Sequence, residues 1–261
     1  MTTKTILSAV VLTAAVAAGA QTAAPLKDAD FIGLTTPKVL GQGKLLLGLQ
    51  YTSFGASDNL ARGGISLGYG LGNNLQVKIE GTFSPFDSYL LSSGNVVQYG
   101  GSAGDFVIKY GFPGVVDYAI EAGVGYSSTP AQEQVVETVV GGTAGYSITN
   151  GVRVYVNPKL ITLIDNPIFA VAIGASVDVA PGISLFGDWT PYVSGTNSLS
   201  TIDGSTSTDQ LYAIGIRFTK LTPGLSLDLA YTNIVGQSYG FSVTPSLGDT
   251  GGLYVGLTYG F

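Results

Sequence analysis

The chain has 261 residues, with 38 glycines, 15 tyrosines, only 11% charged residues and a net charge of −6; it holds neither cysteine nor histidine. Without cysteine there is no disulfide, thiolate nucleophile or Cys-ligated metal, and without histidine no Ser-His catalytic pair or His-ligated zinc. The acidic balance, with no run of Lys and Arg, excludes a surface that tracks a phosphate backbone, so no nucleic-acid partner is expected.

The N-terminus reads MTTKTILSAVVLTAAVAAGAQTAAP. Lys4 precedes an apolar stretch from Ile6 to Ala18, and Ala18-Gly19-Ala20 forms an A-x-A site before Gln21. The stretch is too short and too rich in small residues for a membrane anchor. Residues 1–20 therefore read as a secretory signal, with the mature chain starting near Gln21 outside the cytoplasm. Residues 21–42 are expected to form an N-terminal periplasmic segment or, over Pro25 to Gly41, a plug in the lumen of the domain that follows.

From residue 43 to 261 the chain alternates. Leu45, Leu47, Leu49 and Tyr51 share one face, as do Ile65, Leu67, Tyr69 and Leu71, then Leu75, Val77 and Ile79 with Phe83. Phe106 to Phe112, Val116 to Tyr126, a weaker segment over Val135–Ile148, Val152 to Val156 and Phe169 to Val177 follow. Ile183 to Trp189, Tyr212 to Phe218, Leu225 to Tyr231 and Leu253 to Phe261 complete twelve period-2 segments. Each is near the length of a tilted strand across a bilayer.

The connections alternate as well. Gly72-Asn73-Asn74, Pro113-Gly114, Thr149-Asn150-Gly151, Ala180-Pro181-Gly182 and Thr222-Pro223-Gly224 have tight-turn chemistry. Between them lie polar connections expected to be long loops: Ser53–Asn59, Ser84–Gly101, Ser127–Glu137, Ile161–Asn166, Val193–Gln210 and Asn233–Thr250. No predicted helix covers the apolar faces, so lipid must. Closure into a barrel then pairs every backbone group. Aromatics near both strand ends, among them Tyr51, Phe83, Tyr126, Trp189 and Tyr231 on one side and Tyr69, Phe112, Tyr118, Tyr146 and Tyr259 on the other, form an interfacial girdle. The expected fold is all-β: a transmembrane antiparallel up-and-down β-barrel of twelve strands, within a range of 10–14.

The terminal strand GGLYVGLTYGF, apolar at alternate positions and ending in Tyr259 and Phe261, resembles the C-terminal signal of bacterial outer-membrane β-barrels. The signal peptide and alternating strands extend that resemblance over almost the whole chain. It implies an outer-membrane location, contact with lipid, and reading of Tyr259 and Phe261 by the barrel-assembly machinery.

The residues opposite the apolar ones face inward. The candidate pore-lining residues are Arg62, Lys78, Glu80, Asp105, Lys109, Asp117, Glu121, Arg153, Lys159, Asp188, Arg217 and Asp228; with Lys44 and Asp178 the face carries seven bases and seven acids. Lys109 is expected to pair with Asp117 or Glu121 across the Pro113-Gly114 turn, and Arg217 with Asp228 across Pro223-Gly224. Interior glycines, among them Gly48, Gly68, Gly111, Gly145 and Gly174, favour space. Asp58, Asp87, Glu133, Glu137, Asp165, Asp203, Asp209 and Asp249 make the long loops acidic, which would concentrate cations at the outer mouth.

Three motifs fail. Gly64-Ile65-Ser66-Leu67-Gly68 matches a nucleophile elbow but lies within a strand of a histidine-free chain. Asp249-Thr250-Gly251 lacks the second copy that an aspartic protease needs. Asp203 to Asp209 lacks the glycine and bidentate glutamate of a calcium loop. No enzymatic activity, metal or cofactor is expected. The expectation is a porin-like channel passing small polar solutes or ions, on a surface compatible with a homo-oligomer. The alternative is a closed structural or adhesive barrel acting through its extracellular loops.

Overall fold

A computed structural model describes residues 29–54, 60–83, 88–92, 95–99, 101–129, 132–163, 166–197, 210–237, 242 and 251–261. The signal expected over residues 1–20 lies outside the described residues. The strands are β1 (Leu45–Phe54), β2 (Leu60–Gly72), β3 (Leu75–Phe83), β4 (Ser88–Ser92), β5 (Asn95–Tyr99), β6 (Ser102–Phe112), β7 (Val116–Thr129) and β8 (Gln132–Thr149). They continue with β9 (Val152–Leu163), β10 (Asn166–Ala180), β11 (Ile183–Thr190), β12 (Tyr192–Ser194), β13 (Leu211–Thr222), β14 (Leu225–Thr232) and β15 (Gly252–Gly260).

Twelve of these, all but β4, β5 and β12, form one antiparallel sheet that closes on itself. Each barrel strand pairs with its sequence neighbours, and β15 returns to β1 in register from Leu46↔Gly260 to Phe54↔Gly252. The Phe261 N–H continues the seam by donating to the Leu45 carbonyl at 2.9 Å. All twelve alternating segments of the sequence are barrel strands. The short β12 pairs with β10, and β4 and β5 form a separate hairpin in the connection from β3 to β6.

The turns follow from local chemistry. Asn73 and Asn74 have φ of 52° and 61° between the paired Gly72 and Leu75, a two-residue turn whose left-handed positions asparagine tolerates. Pro181-Gly182 and Pro223-Gly224 combine a proline-fixed φ with glycines at 84° and 77°, as a type II turn requires.

Two connections expected as long loops are mostly strand. β7 and β8 run on to Thr129 and Gln132, and β9 and β10 to Leu163 and Asn166. The alternation persists there: Val135 and Val139 are buried while Val136 and Val140 are exposed. Glu137 is accordingly no exposed loop acid; it is buried and accepts a hydrogen bond from Ser127 Oγ at 3.1 Å. The other acids assigned to the long loops lie outside the residues whose side chains are described.

The apolar faces point outward. Ile79, Ile120 and Val124 are each 56% exposed in mid-strand, and Tyr51, Tyr69, Tyr118, Tyr126, Tyr146, Trp189 and Tyr231 lie exposed toward the strand ends. Phe112 stacks on Tyr118 across the β6–β7 turn, with centroids 4.5 Å apart. In water such a band would be unstable; in hydrocarbon it is the preferred exterior.

Candidate functional site

Because side chains alternate across a strand, the outward apolar band forces the residues between into the lumen. β2 contributes Arg62; β3 Gln76, Lys78 and Glu80; β6 Asp105 and Lys109; and β7 Glu121. β9 adds Asn157 and Lys159, β11 Phe186 and Asp188, β13 Arg217 and β14 Asp228. All are buried except Lys78, whose side chain is 13% exposed. Asp117 and Arg153 stand at the short-turn end and are partly exposed.

The lumen is occupied by the chain itself. Ala29–Gln42 contributes no strand and lies against the inner wall, with Phe31, Ile32, Leu34, Thr36 and Leu40 buried. Its tip turns where the Phe31 N–H donates to the Leu34 carbonyl at 2.9 Å, and it closes where the Thr36 N–H donates to Asp30 Oδ1 at 2.8 Å. Several interior glycines expected as free space are its seats, though Gly48 is filled by Ser66 of the wall. A Cβ at Gly111 would meet Val39 at 2.6 Å, one at Gly145 would meet Pro37 at 2.9 Å, and one at Gly174 would meet Leu34 at 2.9 Å.

Polar wall residues satisfy the segment's backbone, which would otherwise be costly to bury. Gln76 Oε1 accepts from the Leu40 N–H at 2.9 Å, and Thr143 Oγ1 donates to the Thr35 carbonyl at 2.7 Å. Lys159 Nζ donates to the Gly33 carbonyl at 2.9 Å. Arg217 donates to the carbonyls of Ala29 and Asp30 at 2.8 and 2.9 Å while holding both oxygens of Asp228 at 2.8 and 2.7 Å. The Arg217–Asp228 pair is the one expected across the Pro223-Gly224 turn. Its guanidinium also lies 5.2 Å from the ring centre of Phe31, which stacks on Phe186.

The Lys109 pairing differs from expectation. Its ammonium reaches Asp30 Oδ1 at 3.4 Å, and Asp117 pairs with Lys38 at 2.7 Å instead. The lumen segment, whose place sequence periodicity does not reveal, supplies both new partners. Lys78 bridges Asp30 at 3.1 Å and Glu80 at 3.0 Å. Burial pushes the Asp30 carboxyl up, but Lys109, Lys78 and the Thr36 N–H outweigh it, so Asp30 ionises well below the ordinary carboxylate range.

A second element enters from the long-loop side. Asn233, Ile234 and Val235, which follow β14, are buried, and Gln237 donates to the Tyr254 hydroxyl at 3.1 Å. A Cβ on Gly33 would lie 2.6 Å from Ile234 Cδ1, so the two elements meet at Gly33. A cavity of about 270 Å³ remains between the segment and the wall, lined by residues that include Asp30, Thr36, Lys38, Gln76 and Lys109.

No family model and no curated protein matches the sequence. Solved structures do. A structure described as the KdgM porin aligns over 83% of this chain and 99% of its own, at 10% identity and a TM-score of 0.56. One described as the NanC porin aligns over 82% and 98%, at 9% identity and a TM-score of 0.57. The chain shares the fold of these barrels. Its likeness to the KdgM porin in complex with disordered oligogalacturonate is of the same order, at 9% identity and a TM-score of 0.55. At such identities the shared property is the barrel itself; the side chains of the lumen are this protein's own.

Proposed function

We propose that the protein is an outer-membrane channel passing small polar solutes or ions, closed in this state by Ala29–Gln42. The observation that carries this reading is the division of the barrel. The exterior is apolar, the ionic side chains are gathered inside, and what fills the lumen between them is a segment outside the sheet. A twelve-stranded barrel has more room than an eight-stranded one, whose side chains nearly fill it. With the segment displaced, Lys78, Glu80, Lys109, Glu121, Lys159 and Asp188 would line the path with opposed charges. Passage would be selected by width and field, without chemistry. The acidic loop residues of the sequence add a mild cation preference at the outer mouth.

Lipid and the permeating solutes are the partners of this reading, and Tyr259 and Phe261 form the assembly signal at the seam strand. The meeting of two lumen elements at Gly33 favours a second reading, a closed barrel acting through its loops. Liposome swelling separates the two. Vesicles containing the refolded protein should swell in isosmotic small sugars and amino acids, and swell less as solute size grows. Swelling no faster than in protein-free vesicles would favour the closed barrel.

A further inference from the structure

Two of the basic residues that hold the lumen segment also hold an acid on the wall. Lys78 holds Asp30 and Glu80 together, and Arg217 holds two segment carbonyls and Asp228 together. Lys109 is different. Its direct cross-strand partner on the same inner face is Glu121, yet its ammonium goes to Asp30. Both oxygens of Glu121 are buried, and neither has a hydrogen-bond partner among the described residues. A buried carboxylate in that condition is costly and rare. The Glu121 side chain leans over Gly141, where an added Cβ would stand 3.0 Å from its Oε1. Gly141 is the register partner of both Glu121 and Lys159. Glu121 therefore sits between Lys109 and Lys159, and both of these give hydrogen bonds to the segment, at Asp30 and at the Gly33 carbonyl.

We propose that Glu121 is the open-state acceptor of a two-position latch: with the segment seated, Asp30 and Gly33 hold Lys109 and Lys159, and with it withdrawn those two ammonium groups turn to Glu121. The seated state then leaves the Glu121 carboxylate without a hydrogen bond, and the open state supplies one, which narrows the free-energy gap between the two states. This latch rests on the channel reading and names its regulation.

The test uses the full chain, with heat-shifted gel migration confirming a folded barrel for each variant. Asp30→Asn removes the competing carboxylate and should raise the single-channel open probability. Glu121→Gln should lower it about tenfold, the scale of one charge-assisted hydrogen bond. In a Lys109→Gln, Lys159→Gln background the Glu121→Gln effect should all but vanish. An unchanged or raised open probability in Glu121→Gln, or a full effect in the double-Gln background, overturns the latch.

A second readout does not depend on conduction. Leu34 is buried in the seated segment and the chain has no cysteine. In a Leu34→Cys protein, labelling by a water-soluble maleimide should be faster with Asp30→Asn and slower with Glu121→Gln. Labelling that responds this way in a silent bilayer keeps the latch and removes the channel reading. Labelling indifferent to both substitutions removes the latch.

Discussion

Arg217 holds the seated lumen segment at two backbone carbonyls, and its role divides into two measurable parts. Its side chain makes a bidentate pair with Asp228, which is 8% exposed, and donates separately to the carbonyls of Ala29 and Asp30. Arg217→Met deletes all four hydrogen bonds and strands the Asp228 charge, a loss of about 3–5 kcal/mol for a broken buried pair. Arg217→Met combined with Asp228→Leu removes the stranded charge as well. What remains is the loss of the two hydrogen bonds donated to the Ala29 and Asp30 carbonyls, at about 1 kcal/mol each or roughly 2 kcal/mol together. The double variant should therefore be the more stable of the two. Urea unfolding in detergent micelles, followed by the fluorescence of Trp189, the single tryptophan, measures both. A single variant that loses under about 1 kcal/mol, or a double variant no milder than the single, would refute this division of labour.

Three further outcomes follow from other parts of the molecule. Ile79 is 56% exposed in mid-strand; Ile79→Arg should lower the unfolding free energy in lipid by about 2–4 kcal/mol, and no loss would place that face away from hydrocarbon. A Cβ at Gly111 would stand 3.5 Å from that of Val39, within disulfide reach of about 3.5–4.5 Å; an oxidised Val39→Cys, Gly111→Cys protein should conduct less than the reduced one, and equal conductance would mean that the segment need not leave β6. The Asp30 carboxyl is held below its ordinary value, so its contribution to the seated state is complete above the unperturbed pKa of about 3.9 and is lost only as pH falls through the lower seated value. Maleimide labelling of Leu34→Cys should then not change between pH 7 and 5 on account of Asp30; acceleration in that window that Asp30→Asn abolishes would contradict the ion-pair assignment.

The barrel was legible because lipid imposes the same alternation on every strand, and a period of two survives even where hydrophobicity is low. Val135–Ile148 read as a weak segment because Gly141, Gly142, Thr143, Ala144 and Gly145 carry little apolar surface, yet it belongs to β8, the longest strand at 18 residues. Its inner face bears Gly141 and Gly145, which make room for Glu121 and Pro37. The loop limits were misplaced at β7–β8 and β9–β10, since polar residues such as Ser128 and Glu133 continue a strand as readily as they form a loop. The lumen was only half legible. Periodicity identified which charges turn inward, and the two-residue turn found the Arg217–Asp228 pair. It carried no information on Ala29–Gln42, whose wall contacts reach from 36 positions along the chain, Leu40 with Gln76, to 188, Ala29 with Arg217. Lys109 consequently has a partner that no local rule supplies.

On the proposed reading the barrel conducts when the segment leaves its lumen. Single-channel recording of the refolded protein in a planar bilayer, with a salt gradient across it, is the direct test. Discrete, reproducible steps should appear, with a reversal potential on the cation-selective side and longer openings in Asp30→Asn. A silent bilayer for both proteins, each shown folded by heat-shifted migration, would contradict it and assign the function to the loops.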